Sequence, residues 1–205
     1  VNLAALGEHW FGAGQKTQNM ALIVVGAGIG AGIIINGTLY RGSTEASGEI
    51  GHMIPGKEFL GKSYLDFGAL ESVASGTGMI ARARTVLKSR REATELNHLQ
   101  AEDIFEAAQR GEKWATAILD EVISNMAIAV ANLTVSFDPE LIVLGGGVTS
   151  FSHMLVKPIL KRIEGVIPTL PKLVVSNLGM RATVMGAIVT VLHNTSNFYV
   201  VHKLS

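Results

Sequence analysis

The chain has 205 residues, of which 48% are apolar and 17% charged, a balance that excludes intrinsic disorder and predicts a packed core. Lysine plus arginine equals aspartate plus glutamate at 17 each, so no net field draws the chain to nucleic acid or to an anionic membrane. Cysteine is absent, which excludes disulfides and thiolate metal sites. The most apolar stretches, Met126 to Val135 and Val184 to Leu192, fall short of the ~20 residues that span a bilayer, so the expectation is a cytoplasmic protein with no membrane partner. The length fits one compact unit over 1–205. Because Val1 opens directly on a helix-like pattern, the natural chain is expected to begin upstream.

Leu3, Leu6, Trp10 and Phe11 recur at helical spacing up to the stop at Gly12-Ala13-Gly14, predicting a short amphipathic helix. Met20 to Val25 and Ile33 to Ile35 then read as strands separated by a glycine-rich bend. Asn36-Gly37 before Thr38 to Tyr40 is a two-residue hairpin signal, so the region is a three-stranded meander. From Gly42 to Gly68 glycine and polar residues surround one apolar piece, Ile50 to Ile54, which reads as loop, strand, loop. Helical pattern follows through Phe137, broken near Gly76-Thr77-Gly78, Glu95 to His98 and Gly111, and ended by Asp138-Pro139. Leu141 to Leu144 reads as a buried strand, and Gly145-Gly146-Gly147 turns the chain into a helix that Thr149 or Ser150 would cap and Gly165 to Pro168 would end. Lys172 to Ser176 is a strand and Thr183 to His193 a closing apolar helix; the tail from Asn194 has no assignable pattern. The order of elements predicts an α/β layered domain.

Gly26, Gly28 and Ala31 fit the dinucleotide fingerprint, but that motif requires a helix next, and here a strand and hairpin turn follow. A glycine-rich turn between strands can still present bare N–H groups to a phosphate, or can simply be a tight turn; spacing leaves both open. The same holds for Gly145 to Gly147. Glu45, Glu49, His52 and Glu71 surround a glycine-rich loop. Carboxylates and an imidazole suit sugar hydroxyls, because a carboxylate accepts and a neutral imidazole both donates and accepts. Against this stand solvated glutamates and a surface histidine, the commoner fate of such residues.

Six segments resemble the ROK family of bacterial repressors, open reading frames and sugar kinases. Asn2 to Glu8 with Phe11 to Gly14 is similar to its helix after a sugar-binding Asn-Asp pair, and Gly26 to Gly32 to its second phosphate segment. Gly48 to Met53 resembles its signature, and Ala69 to Ser75 the helix that follows. Asp138 to Gly147 is similar to its adenosine segment and Gly186-Ala187 to its closing helix. The resemblance implies the C-terminal lobe of an actin-like ATPase fold, ribonuclease H-like and of the hexokinase type, that binds sugar and forms homodimers. It also implies Glu49, His52 and Glu71 as sugar ligands, and Gly26, Gly28, Gly145 and Gly146 as nucleotide-side positions if that function is retained.

Departures from the family pattern shape the expected function. The general-base aspartate should lie just before Val1, so no catalytic residue is expected in this chain. Ala27 stands where the family's kinases carry a phosphate-binding threonine. Lys62, Tyr64 and Ala69 occupy the positions of the zinc-loop cysteines, so zinc is not expected. The loop Gly56 to Gly68 should instead be ordered by packing of Phe59, Leu60, Tyr64, Leu65 and Phe67. These departures favour the sugar-binding lobe of a transcriptional repressor, with DNA bound only through a separate N-terminal domain and with no cofactor. The alternative is the C-terminal lobe of an ATP- and Mg-dependent sugar kinase.

Overall fold

The computed structural model describes residues 1–89 and 98–194, without the side chains of 193 and 194. Its centre is a five-stranded sheet in the order β3-β2-β1-β4-β5. Strands β1 (Met20–Val25), β2 (Ile29–Ile35) and β3 (Thr38–Tyr40) form the antiparallel meander, while β4 (Leu141–Gly146) and β5 (Leu173–Val175) extend it in parallel. The β2–β3 turn holds Asn36 at φ 51° and Gly37 at φ 73°, the left-handed pair that matches the twist of a two-residue hairpin. β2 begins earlier than the apolar pattern suggests, since Val25 pairs with Ile29 and only Gly26-Ala27-Gly28 remains as turn. Gly30 and Gly32 are strand residues, and a Cβ on Gly32 would lie 2.3 Å from the Ala5 Cβ.

β1 lies between β2 and β4, and its successive side chains feed two separate cores. Ala21, Ile23 and Val25 pack on one face against α2 (Glu71–Ala74), α3 (Gly76–Ser89), α4 (Ala101–Gln109), α5 (Lys113–Phe137) and α6 (Val156–Ile163). Met20 and Leu22 point to the other, where α1 (Asn2–Phe11) and α7 (Ala182–Asn194) lie. The result is three layers, helix, sheet, helix. α5 is long and apolar enough, by length and composition, to cross a membrane, yet over half of its most apolar window is buried in the protein core.

Several local readings change. Ile50 to Ile54 is not a strand: Ile50–His52 is a 3-10 turn whose neighbouring amides are satisfied locally, His52 N–H by the Glu49 carbonyl and Met53 N–H by the Ile50 carbonyl. The helix after the triple glycine starts as a 3-10 stretch, Gly147–Met154, and becomes α6 only at Val156; Thr149 caps nothing, its hydroxyl donating back to the Gly146 carbonyl at 2.9 Å. The helix break falls at the extended Ser75, leaving Gly76-Thr77-Gly78 as the first turn of α3. In α1 the buried face is Ala4, Ala5, Gly7, Glu8 and His9, while Leu3 is exposed, because the helix packs by small residues against α7 rather than by its large ones. In the Gly56 to Gly68 loop Phe59 and Tyr64 rings meet at 5.8 Å, but Leu60 and Leu65 are exposed and take no part in ordering it. The expected break at Glu95 to His98 lies mostly outside the described residues, and the tail after Asn194 entirely so.

Candidate functional site

The β1–β2 turn lies at the end of the sheet where β1 and β4 run side by side, with Val24 opposite Gly145 and Val25 opposite Gly146. Open α/β sheets collect ligands outside the carboxyl ends of their parallel strands, and three cavities surround this point. The first, about 400 Å³, is lined by the backbone of Gly26 to Ala31, by Gly48 and Glu49, by Glu71, and by Val1, Asn2 and Ser47. The second, about 600 Å³, opens over Gly145 to Gly147 and is closed by Thr149, Ser176 and Gly179. The third, about 360 Å³, lies between the starts of α3 and α4 and shares Gly26 and Ala27 with the first cavity and Glu102 and Gly147 with the second.

Glu71 begins α2 and is a two-sided anchor. Its Oε1 accepts the Ile29 N–H at 2.7 Å and its Oε2 the Gly68 N–H at 2.9 Å, so one carboxylate ties the β1–β2 turn to the loop before α2. The space is made by glycine: a Cβ on Gly28 or on Gly51 would lie 2.4 Å from the Glu71 side chain. Each carboxylate oxygen keeps a lone pair for a further donor. Glu49 stands on the opposite rim, exposed, next to Gly48, whose φ of 89° and carbonyl, accepting the Ala31 N–H at 2.6 Å, clamp the loop on β2. His52 is exposed and does not line the cavity. Glu45 stands apart, 72% exposed and ion-paired with Arg41 at 3.3 Å. Of the residues expected from the sequence, the structure brings Glu49, Glu71, Gly26 and Gly28 together in one cavity and Gly145 and Gly146 in another, and leaves His52 outside both. Asn2 and Ser47 are two further polar side chains on the first cavity that the sequence does not single out; the signal for Asn2 is its place at the head of α1, in the segment that follows the family's sugar-binding pair.

The glycines separate by what they must accommodate. Gly146 has φ 92° and a Cβ there would lie 2.1 Å from the Val25 carbonyl oxygen, so the fold itself requires it. Gly26 has nothing within 4 Å of such a Cβ, and Gly147 only the Glu102 carboxylate at 3.8 Å; neither has a positive φ, and both face the third cavity. Gly26→Ala and Gly147→Ala are expected to change stability by less than about 0.5 kcal/mol in thermal denaturation, whereas Gly28→Ala, pressed on Glu71, is expected to cost about 1–3 kcal/mol.

Among the described residues no group of three or more His, Asp or Glu is placed to hold a metal ion. A chelator is expected to leave the melting temperature unchanged. Stoichiometric zinc by elemental analysis, with stability lost on its removal, would contradict this.

Comparison with known proteins matches residues 1–194 to the ROK family. The chain is 37% identical to a glucokinase of Halalkalibacterium halodurans over 91% of the chain and 60% of that protein, and 31% identical to a xylose repressor of Caldicellulosiruptor bescii over 97% and 52%. It superimposes on the ROK hexokinase of Thermus thermophilus with a TM-score of 0.77 at 27% identity, covering 95% of the chain and 64% of the hexokinase. The chain thus spans between about half and two thirds of the length of these relatives. The mixed sheet with helices on both faces is the actin-like ATPase fold of the hexokinase type. On the family match and on that shared architecture, the chain belongs to the ROK family.

Proposed function

We propose that the chain is the sugar-binding effector lobe of a ROK transcriptional repressor, and that the sugar occupies the first cavity. One observation carries this reading. A cavity of about 400 Å³, in the range of small-molecule sites, has a bare glycine backbone as its floor and two carboxylates, Glu49 and Glu71, on its walls. Carboxylates accept hydrogen bonds from hydroxyls without donating any, and the Ala27 and Gly28 N–H groups, the turn amides with no acceptor among the described residues, can donate to them, which is the complement a sugar needs. Ala27, exposed at the tip of the turn and lining both the first and third cavities, presents a methyl where a hydroxyl would donate to a transferring phosphate. That substitution favours binding over turnover. The same reading includes a cytoplasmic homodimer that reaches DNA through a domain outside this chain.

A second reading, the C-terminal lobe of a sugar kinase, is favoured by Gly26 and Gly147. Neither is needed by the fold, and both leave the third cavity open beside the second, as a bound nucleotide would require. Coupled-enzyme assay of the full-length protein with ATP, Mg and D-glucose or D-xylose separates the two. The repressor reading predicts turnover far below ~1 s⁻¹ with sugar binding retained, and a rise on Ala27→Thr; turnover at or above ~1 s⁻¹ without that change would overturn it.

A further inference from the structure

Glu8 lies in the middle of α1 and is fully buried, and its carboxyl group is met, among the described residues, by uncharged donors. Its Oε2 accepts the Ala13 N–H at 2.8 Å, and its Oε1 accepts the Leu178 N–H at 3.0 Å and the Ser176 hydroxyl at 2.5 Å. Ser176 continues the chain of contacts. Its Oγ accepts the Gly179 N–H at 2.8 Å, and its own N–H donates to the carbonyl of Leu144, the residue before Gly145. A Cβ on Gly12 would lie 2.0 Å from the Glu8 Oε2, so the glycine is what lets the carboxylate turn back under the helix end.

α1 therefore touches two cavities at once. Val1 and Asn2, at its start, line the first; Ala4 lines the second; and Glu8, further along, holds Ser176 and, through its hydroxyl, Gly179, which form a wall of the second. A ten-residue helix is a rod of roughly 15 Å, and a buried carboxyl group hydrogen-bonded on both oxygens leaves little play at its attachment. α1 and α7 also approach closely here, with no room for a Cβ on Gly7, 2.1 Å from the Ala182 carbonyl oxygen, or on Gly186, 1.6 Å from that of Leu3.

We propose that Glu8 is a positioning residue that carries sugar occupancy of the first cavity to the Ser176–Gly179 corner of the second. The inference rests on the sugar reading of the first cavity and adds its route of response. Met180, the next residue after the corner, is 98% exposed, so a shift of the corner is presented directly at the surface.

The test is amide hydrogen exchange at Leu178 and Gly179 of the full-length protein, with and without saturating D-glucose or D-xylose, in wild type, Glu8→Gln and Ser176→Ala. Calorimetry on the same samples gives the sugar affinity. In wild type, sugar should slow exchange at both amides by about tenfold. Both variants should bind sugar within about threefold of wild type and lose that sugar-dependent protection. Ser176→Ala keeps Glu8 with two donors, so it reports even where Glu8→Gln fails to fold. A tether with no positioning role would raise exchange in the variants equally with and without sugar. That outcome overturns the proposal, as does a wild type that binds sugar without any change at the corner; in both cases the sugar reading stands. Wild type that binds neither sugar removes the sugar reading and the proposal with it.

Discussion

Gly186→Ala is expected to be strongly destabilising, since its added methyl would make the shortest contact of any described glycine. The new carbon would lie 1.6 Å from the Leu3 carbonyl oxygen and 3.0 Å from the Gly7 nitrogen, both backbone atoms in the facing helix. Overpacking against movable side chains costs about 1–3 kcal/mol, and here no side chain can yield, so a loss of about 3 kcal/mol or more is expected. For a chain of this length that lowers the melting temperature by roughly 6–12 °C. Gly7→Ala, 2.1 Å from the Ala182 carbonyl oxygen, should behave alike, and Gly147→Ala, with only a 3.8 Å contact, is the control. A Gly186→Ala protein melting within about 2 °C of wild type would show that α1 and α7 are not interlocked.

Glu71→Ala should damage both stability and binding. It strands the N–H groups of Ile29 and Gly68, both buried, and an unsatisfied buried donor costs about 1–3 kcal/mol. A total of about 2–6 kcal/mol, seen as a melting point roughly 4–24 °C lower, is expected together with at least a tenfold loss of sugar affinity. Glu71→Gln keeps one acceptor oxygen and should fall between. If Glu71→Ala melts like wild type, the carboxylate is not the tie between turn and loop.

These two sites show what the sequence does and does not reveal. The layered fold was legible because β1 and β4 are short, β-branched and bounded by glycine, and because Asn36-Gly37 is chemically committed to a hairpin. The start of β2 was obscured by Gly30 and Gly32, which read as loop but serve close packing against α1 and the loop before Glu49. Ile50 to Ile54 was misread since a buried Ile50 and an apolar neighbourhood look alike in a strand and in a 3-10 turn, and only the hydrogen-bond partners separate them. At the site, the carboxylates Glu49 and Glu71 could be picked out as residue types. That Glu71 is already bonded on both oxygens could not, because its partners Ile29 and Gly68 are backbone groups that carry no side-chain signal. Nothing in the sequence marks Glu8 as buried either: two of its donors are backbone N–H groups, of Ala13 close by and of Leu178 far along the chain.

The central claim, that the first cavity holds a sugar, is tested most directly at Glu49. This side chain lines the cavity, is exposed, and makes no hydrogen bond within the protein among those described, so its removal separates binding from folding. Calorimetric titration of D-glucose and D-xylose into full-length wild type and Glu49→Ala should show the affinity for the bound sugar reduced about ten- to a hundredfold, the equivalent of roughly 1.5–3 kcal/mol, with the melting temperature unchanged. Equal affinity in the two proteins would contradict the assignment of this cavity as the sugar site.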